Sequence, residues 1–311
     1  MLRLITILWV LITPALAAEW QILADMHTSR SEITAAHLNG HIYVAGGISI
    51  PGTRKEFEAY DIASGTWAKL APLPKPLHHV ALAAASGKIY ATGGYVALDF
   101  SPNDPELWEY DPGEDRWVRK ADMPAARGEH AMVSWRGKLY VISGRGQNAR
   151  QVWEYDPASD TWTADRAPIP TYRHSAAVML NEVTGQVYVA GGRDDTYSVL
   201  TPVEVYDIPT DTWKSLPDLP TPLGGHGGAY YGGNLHIFGG ELLDSAEVLD
   251  EHYVLNLASG IWTEGPPLAK PRHGIAYITV NGITYVIGGG SKAGWRTYFF
   301  ATDTLQAYTH Q

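Results

Sequence analysis

Short runs of apolar or alternating residues, each bounded by turn-forming residues, recur along the chain. Examples are Lys138–Ile142, with the sequence KLYVI, and residues 151–155, with the sequence QVWEY. Glycines stand just before such runs, at Gly137, Gly185, Gly233 and Gly282. Runs of this length and composition beside tight turns predict β-strands. No amphipathic helix is indicated after residue 17.

Two landmarks repeat six times at a nearly constant interval. Doublets recur every 47 to 50 residues, at Gly46-Gly47, Gly93-Gly94, Ser143-Gly144, Gly191-Gly192, Gly239-Gly240 and Gly288-Gly289. A tryptophan precedes each doublet by 26 residues, or by 29 in the fourth case, at Trp20, Trp67, Trp117, Trp162, Trp213 and Trp262. The extra residues fall around 181–185 and indicate a longer hairpin turn there. Each unit has room for about four strands, so the repeat decides the fold.

A tyrosine followed by aspartate stands seven residues before four of these tryptophans, at Tyr60, Tyr110, Tyr155 and Tyr206. Glycine doublet, tyrosine and tryptophan at about 50 residues per unit resemble the kelch repeat. The resemblance covers residues 20–311. It implies an all-β fold, a six-bladed kelch β-propeller with four-stranded antiparallel blades. We expect residues 18–311 to form this single domain.

The two ends of the chain predict how the ring of blades closes. Tyr308 lacks its tryptophan, which would fall seven residues later and beyond Gln311. Trp20 conversely has no strands of its own unit before it. We therefore expect the N-terminal segment to supply the outer strand of the last blade, because this removes an exposed strand edge. The repeated Trp and Tyr side chains are expected to pack between blades.

The first 17 residues predict a cleaved signal peptide. Arg3 is followed by an apolar run from Leu4 to Ile12, then by Pro14 and a small-residue cleavage site at 15–17. No later stretch has the roughly 20 apolar residues that a membrane-spanning helix needs. We expect a periplasmic or secreted protein without a membrane span after cleavage of the signal.

Charge and cysteine content narrow the possible partners. The chain has 311 residues, a formal net charge of −10 and no cysteine. Because no basic stripe offsets repulsion by phosphates, we expect no nucleic-acid partner. Disulfides and thiolate nucleophiles are excluded, so the fold must be stable through packing alone.

Polar residues are predicted to converge on one face of the propeller, which we call the mouth. The loop before the first strand of a blade and the loop between its second and third strands share that face, because the chain reverses at every turn. Counting from the doublets gives the predicted ligand-binding residues Arg30, Glu32, His78, His79, Arg127, Glu129, His130, Arg145, Arg173, His174, Arg193, Asp194, His226, Glu241, Arg272 and His273. Arginine and histidine could pair there with Glu32, Glu129 and backbone carbonyls and so fix the blade angles. Alternatively they could recognise an anion, since arginine binds carboxylate, phosphate or sulfate in a bidentate manner.

These observations favour a binding module over an enzyme. We expect the mouth to bind an anionic or hydroxylated small molecule, a glycan, an acidic peptide or another protein. No spacing joins a nucleophile to a base, and consecutive His78 and His79 point to opposite faces of a strand, so no catalytic residue, metal or cofactor is predicted. The alternative is a metal-independent sugar mutarotase or epimerase. The export signal, the six blades and the Arg, Glu and His residues at the mouth are similar to those of the N-acetylneuraminate epimerase group.

Overall fold

The computed structural model describes residues 19–98, 100 and 104–310. The predicted signal peptide, residues 1–17, lies outside the described residues. Six four-stranded antiparallel sheets form the blades of a β-propeller, which confirms the predicted fold. Among the described residues, none belongs to a helix that is long and apolar enough to cross a membrane.

The strands of each blade are given from the central channel outward. Blade 1 contains Thr34–Leu38, His41–Ala45, Phe57–Asp61 and Thr66–Lys69. Blade 2 contains Ala81–Ala85, Lys88–Thr92, Leu107–Asp111 and Arg116–Lys120. Blade 3 contains Ala131–Trp135, Lys138–Ile142, Val152–Asp156 and Thr161–Arg166.

Blade 4 contains Ala177–Asn181, Gln186–Ala190, Val203–Asp207 and Thr212–Leu216. Blade 5 contains Gly227–Tyr231, Asn234–Phe238, His252–Asn256 and Ile261–Glu264. Blade 6 contains Ala276–Val280, Ile283–Ile287, Leu305–Thr309 and, as its outer strand, Gln21–Ile22. Around the mouth lie three short strand pairs and a 3-10 helix, namely Ile48–Ser49 with Gly52–Thr53, Arg127–Gly128 with Arg145–Gly146, Glu241–Leu242 with Glu247–Val248, and Gly294–Tyr298.

The first two strands of a blade are joined by tight hairpins at the end of the propeller opposite the mouth. Five of these turns place two consecutive residues at positive φ, at Asn39-Gly40, Ser86-Gly87, Arg136-Gly137, Gly232-Gly233 and Asn281-Gly282. This backbone conformation matches the twist of the flanking strands. In blade 4 the pair Asn181 and Gln186 encloses residues 182–185, which confirms the longer turn.

The doublets mark the place where each blade meets the next. In all six blades the N–H of the second doublet residue donates to a main-chain carbonyl of the following blade, for example Gly240 to Arg272 at 2.9 Å. A Cβ atom at Gly239, where φ is +65°, would lie 2.7 Å from that same carbonyl oxygen. Glycine is therefore favoured by both the backbone conformation and the close approach. Ser143 adopts the same conformation, with φ of 60°.

The repeated aromatic residues join neighbouring blades, as predicted. Each of the six landmark tryptophans donates its ring N–H to a carbonyl in the connection that leaves the preceding blade, at 2.8 to 3.3 Å. The Tyr110 hydroxyl donates to Asp115 at 2.6 Å, and Asp115 also accepts the Ala71 N–H of the preceding connection at 2.8 Å. The same bridge recurs in blades 3 and 4, so each blade is fixed to its neighbour by hydrogen bonds as well as by ring packing.

The ring closes as the sequence predicts. Gln21 pairs with Ala307 and Ile22 with Gln306, so the N-terminal strand completes blade 6. The Trp20 and Tyr308 ring centroids are 5.2 Å apart, the same separation as for Tyr60 and Trp67 within blade 1. Trp20 thus supplies the tryptophan that Tyr308 lacks in its own unit.

Blades 5 and 6 meet at a group of three buried histidines, His236, His252 and His310, which we call the seam cluster. His252 Nδ1 donates to the Pro266 carbonyl at 3.0 Å, so its Nε2 accepts from His236 Nδ1, also at 3.0 Å. The ring of His310 lies 4.3 Å from that of His236. Burial lowers the pKa of His236 to about 3 and that of His252 and His310 to about 4. The cluster is therefore neutral at physiological pH.

Candidate functional site

The loops that were expected to meet at the mouth do meet there. In all six blades the residue three positions before the first strand pairs with the residue after the doublet, as His174 does with Arg193. The residue that follows has φ between 50° and 64° in every blade, and these six residues form the floor of the mouth, namely Glu32, His79, Glu129, Ser175, Gly225 and Gly274. Main-chain N–H groups of the floor donate to neighbouring floor carbonyls at 2.8 to 3.1 Å. The backbone therefore draws the six blades together at this end of the channel.

Four predicted arginines lie beneath the mouth and do not line it. Arg30, Arg127, Arg173 and Arg272 are almost completely buried. Each guanidinium donates to the carbonyl of the first doublet residue in its own blade and to a carbonyl near the start of the third strand. Burial lowers the pKa of Arg127 to about 9 and that of Arg272 to about 10. This geometry supports the interpretation in which these arginines fix the blades.

His130 and His226 also point away from the mouth, into the packing between blades. His226 Nε2 faces the carbonyl of Ala190 in the preceding blade at 3.0 Å. A Cβ atom at Gly93 of the preceding blade would lie 2.5 Å from the His130 ring. Burial lowers the pKa of both histidines to about 3, so both are neutral.

Glu32, His79 and His78 form one hydrogen-bonded chain on the floor. His78 Nε2 faces the Ala97 carbonyl at 3.0 Å and must carry a proton, because a carbonyl only accepts. Burial lowers the pKa of His78 to about 4, so this imidazole is neutral and its Nδ1 accepts from His79 Nδ1 at 2.6 Å. His79 Nε2 lies 2.9 Å from Glu32, and this carboxylate raises the pKa of His79 against the effect of burial. His79 is therefore a cation held between an acid and a neutral imidazole.

Glu129 is the centre of a second polar group. Its carboxylate is paired with His174 Nδ1 and accepts from the Ser175 hydroxyl at 2.6 Å and the Tyr95 hydroxyl at 3.2 Å. The Arg145 guanidinium lies 3.7 Å away. Burial would raise the pKa of Glu129, but these donors and nearby positive charges hold it well below its usual range. This acid is ionised and already surrounded by donors.

Glu241 organises the third polar group and reaches the rim. It pairs with Arg193 at 2.6 Å and with His273 Nδ1 at 3.3 Å, and it accepts the Gly294 N–H at 2.6 Å. His273 Nε2 faces the Lys292 carbonyl at 2.9 Å, so both ring nitrogens donate. Burial opposes the positive charge, yet Glu241 and then Glu32 raise the pKa of His273.

Two glycines at the mouth are required by side chains from neighbouring blades. A Cβ atom at Gly224 would lie 2.7 Å from the guanidinium carbon of Arg193. A Cβ atom at Gly128 would lie 2.5 Å from the Tyr95 ring. Both positions stay small so that a side chain from the preceding blade can reach across to the charged floor.

The rim above the floor carries the remaining predicted residues. Arg145 keeps 30% of its side-chain surface exposed, and its guanidinium lies over the ring of Tyr197, 4.9 Å from the centroid. Asp194 instead shapes its own loop, since its carboxylate accepts the Thr196 N–H at 2.8 Å and the Ser198 N–H at 3.0 Å. Arg145 is therefore the predicted arginine that offers most surface to a ligand at the mouth.

Sequence reasoning missed a set of apolar side chains on the same rim. Among the described residues, most large hydrophobic side chains with high exposure lie in loops between second and third strands, at Ile50, Val96, Leu98, Phe100, Tyr197, Leu243, Trp295, Phe299 and Phe300. The signal was present in residues 294–300, where GWRTYFF fills a segment in which turn residues are expected. Exposed apolar groups that cluster on one face are typical of interaction sites.

The fold and the mouth together define a six-bladed propeller with a charge-paired floor and an apolar rim. The chain belongs to the kelch-repeat family. A family model described as the KLHDC2/KLHL20/DRC7 Kelch-repeats domain matches residues 8–167 and 130–309. Kelch propellers are typically protein-binding modules.

Individual relatives agree with this assignment. Kelch-like protein terF of Aspergillus terreus is 28% identical over 295 residues, which is 90% of this chain and 53% of that protein. Kelch-like protein 35 of Mus musculus is 30% identical over 67% of this chain and 35% of that protein. The chain thus spans about half or less of these relatives. The solved structure of YjhT shares the fold, with a TM-score of 0.79 at 17% identity, over 92% of this chain and 97% of that one.

Proposed function

We propose that this chain is an exported binding module whose mouth recognises an anionic or hydroxylated group, presented by a glycan, an acidic peptide or a partner protein. The observation that carries the proposal is the pair formed by Arg145 and Tyr197 at the rim. An exposed aromatic ring can stack on a sugar or an apolar side chain, while a guanidinium beside it can hold a carboxylate. Arg145 also lies 3.7 Å from the buried carboxylate of Glu129, which holds the guanidinium at the rim.

The charge balance of the floor supports this choice of site. Glu32, Glu129 and Glu241 each lie against a histidine or an arginine. A ligand that entered the floor would have to replace these buried pairs, at the cost of leaving a buried charge unpaired. A ligand at the rim meets the exposed side of the Arg145 guanidinium, while Glu129 keeps its pairing with His174 and its bond from Ser175.

The test compares two pairs of an arginine with an aromatic residue, which lie at opposite ends of the propeller. Arg145→Gln removes the mouth pair, and Arg136→Gln removes a matched pair in which Arg136 lies 4.4 Å from the Trp135 ring centroid. Thermal shift and calorimetry with N-acetylneuraminic acid, galacturonic acid and a tetraglutamate peptide measure binding. We expect at least one probe to bind the wild-type protein. Its affinity should be about tenfold lower for Arg145→Gln and unchanged for Arg136→Gln. Binding by none of the probes, or equal binding by the two variants, contradicts the proposal.

A second candidate is a metal-independent sugar mutarotase, favoured by Glu32 and His79. Their side chains keep 14% and 13% of their surface exposed at the floor and hold a base and an acid 2.9 Å apart. Such a pair could exchange protons with a ring oxygen and an anomeric hydroxyl. NMR exchange spectroscopy of N-acetylneuraminic acid anomers is the measurement. We expect the wild-type protein to accelerate anomer exchange over the rate in buffer, and Glu32→Gln to abolish this acceleration. If the wild-type protein does not accelerate the exchange, this candidate function is wrong.

A further inference from the structure

A cavity opens on the mouth face, away from the floor, between blades 1 and 6. It has a volume of about 330 Å³. Its walls come from the N-terminal connection, the hairpin after the blade 1 doublet and the blade 6 loop, with His27, Ser29, Ser49, Ile50, Arg54 and Phe299 among the lining residues. This cleft shares no side chain with the floor.

The blade 6 loop that borders the cleft holds its apolar side chains outward. Trp295, Phe299 and Phe300 are 76%, 53% and 48% exposed. The loop is nevertheless well tied, because Glu241 accepts the Gly294 N–H and main-chain bonds join Ser291 to Phe300 and Phe299 to Arg296. The aromatic groups are therefore fixed on the surface by an ordered backbone.

Several basic side chains are exposed around the cleft. Lys292 and Arg296 are exposed on the blade 6 loop, and Lys55 is exposed beside Arg54 on the blade 1 side. Arg54 Nε is buried and has no acceptor among the described residues, although Nη2 of the same guanidinium pairs with Glu56 at 3.1 Å. The cleft thus offers an aromatic wall and exposed cationic groups to an acidic group.

We propose that this cleft binds an extended segment of a partner protein that carries a large apolar side chain next to aspartate or glutamate. Phe299 lines the cavity and its ring centroid lies 5.8 Å from that of Trp295, so these two rings can anchor the apolar side chain while the basic residues complement the acidic neighbours. Aromatic and arginine residues dominate such binding surfaces. An anionic bilayer fits less well, because the same face carries exposed acidic loops on blades 4 and 5, at Asp195, Asp244 and Glu247.

Selection from a random dodecapeptide display library on the wild-type protein tests the proposal, followed by fluorescence anisotropy with the synthesised peptides. The enriched peptides should combine an aromatic or large aliphatic residue with adjacent acidic residues. Their affinity should fall about tenfold or more in the double variant Trp295→Ser/Phe299→Ser, and about threefold in Arg54→Gln. Arg145→Gln should leave it unchanged, which separates this site from the proposed mouth site.

Val183→Ser is the matched control, because Val183 is 86% exposed in the blade 4 turn on the opposite face. Circular dichroism confirms that each variant is folded before binding is compared. The proposal is overturned if no peptides are enriched, if the enriched peptides lack the apolar and acidic pair, or if the double variant binds them as well as the wild type. It is equally overturned if Trp295 and Phe299 instead support binding to phosphatidylglycerol vesicles, or self-association, without peptide binding.

Discussion

Two groups of histidines in this propeller are similarly buried but have opposite electrostatic surroundings. At the mouth, Glu32 lies against His79 and Glu241 against His273, and these carboxylates raise the pKa of both imidazoles although burial alone would lower it. None of the three seam-cluster histidines forms an ion pair with any described residue, and burial lowers the pKa of all three. A neighbouring carboxylate, and not burial itself, therefore decides whether a histidine in this protein is charged.

Lowering the pH should produce the largest difference in stability between the two groups of histidines. A histidine with a folded pKa below the unfolded value of about 6.5 binds fewer protons in the native state, so the free energy of unfolding falls as the pH drops below about 6.5. Three seam histidines together should cost roughly 6 kcal/mol at pH 5 relative to pH 7. Urea unfolding of the wild type and of His310→Phe at both pH values measures this effect.

The variant should lose about 2 kcal/mol less than the wild type over the same change, because one titrating group is gone. The other histidines with lowered pKa values contribute equally to both proteins, namely His37, His78, His130 and His226. Equal losses in the two proteins would show that the seam cluster does not carry the acid sensitivity.

Removing a carboxylate from the mouth should have the next largest effect. Glu241→Gln leaves Arg193 and His273 buried without their acid, so we expect a loss of about 3 kcal/mol in the free energy of unfolding at pH 7. The matched control is Glu247→Gln, an exposed acid of the same loop, which should cost less than about 0.5 kcal/mol. NMR titration should also show a lower pKa for His273 in Glu241→Gln. A loss no larger than that of the control would contradict the assigned role of Glu241.

The smallest effect on the free energy of unfolding is expected from substitution of His79. Its pKa is raised in the folded protein, so its pairing with Glu32 stabilises the fold below the unfolded pKa and is lost as the pH rises through the folded pKa. The stability difference between wild type and His79→Gln should therefore shrink between pH 6 and pH 9, by less than about 1 kcal/mol. Thermal melts across that range measure it, and a difference that grows with pH would refute the paired cation.

The fold could be predicted from sequence because it repeats. Gly191, Tyr206 and Trp213 lie at the contacts between neighbouring blades, as the equivalent residues of other blades do. Their regular spacing is therefore enough to identify them. The closing strand was predictable for the same reason, since Trp20 and Tyr308 are two halves of one unit.

The mouth was only partly predictable, because counting residues places the backbone but not the side chain. Arg173 and His174 are consecutive, yet the first turns under its own blade and the second faces Glu129. Trp295 lies in the short 3-10 helix between two strands and Phe299 directly follows it, so no strand periodicity marks them. The seam cluster joins His236 and His252 from two strands with His310, which follows the last strand, and no pattern along the chain connects them.

The closing strand also determines how the ring would respond to mechanical load. Gln21–Ile22 and Leu305–Thr309 run antiparallel, so the segments that leave them toward either end of the chain depart from the same end of the pair. Tension applied between these segments would peel the two strands apart one hydrogen bond at a time, and would not shear all the bonds together. The strand pair that completes blade 6 should therefore separate first, which frees Trp20 from His252 and parts blade 6 from blade 1, while the other blade junctions bear no direct load.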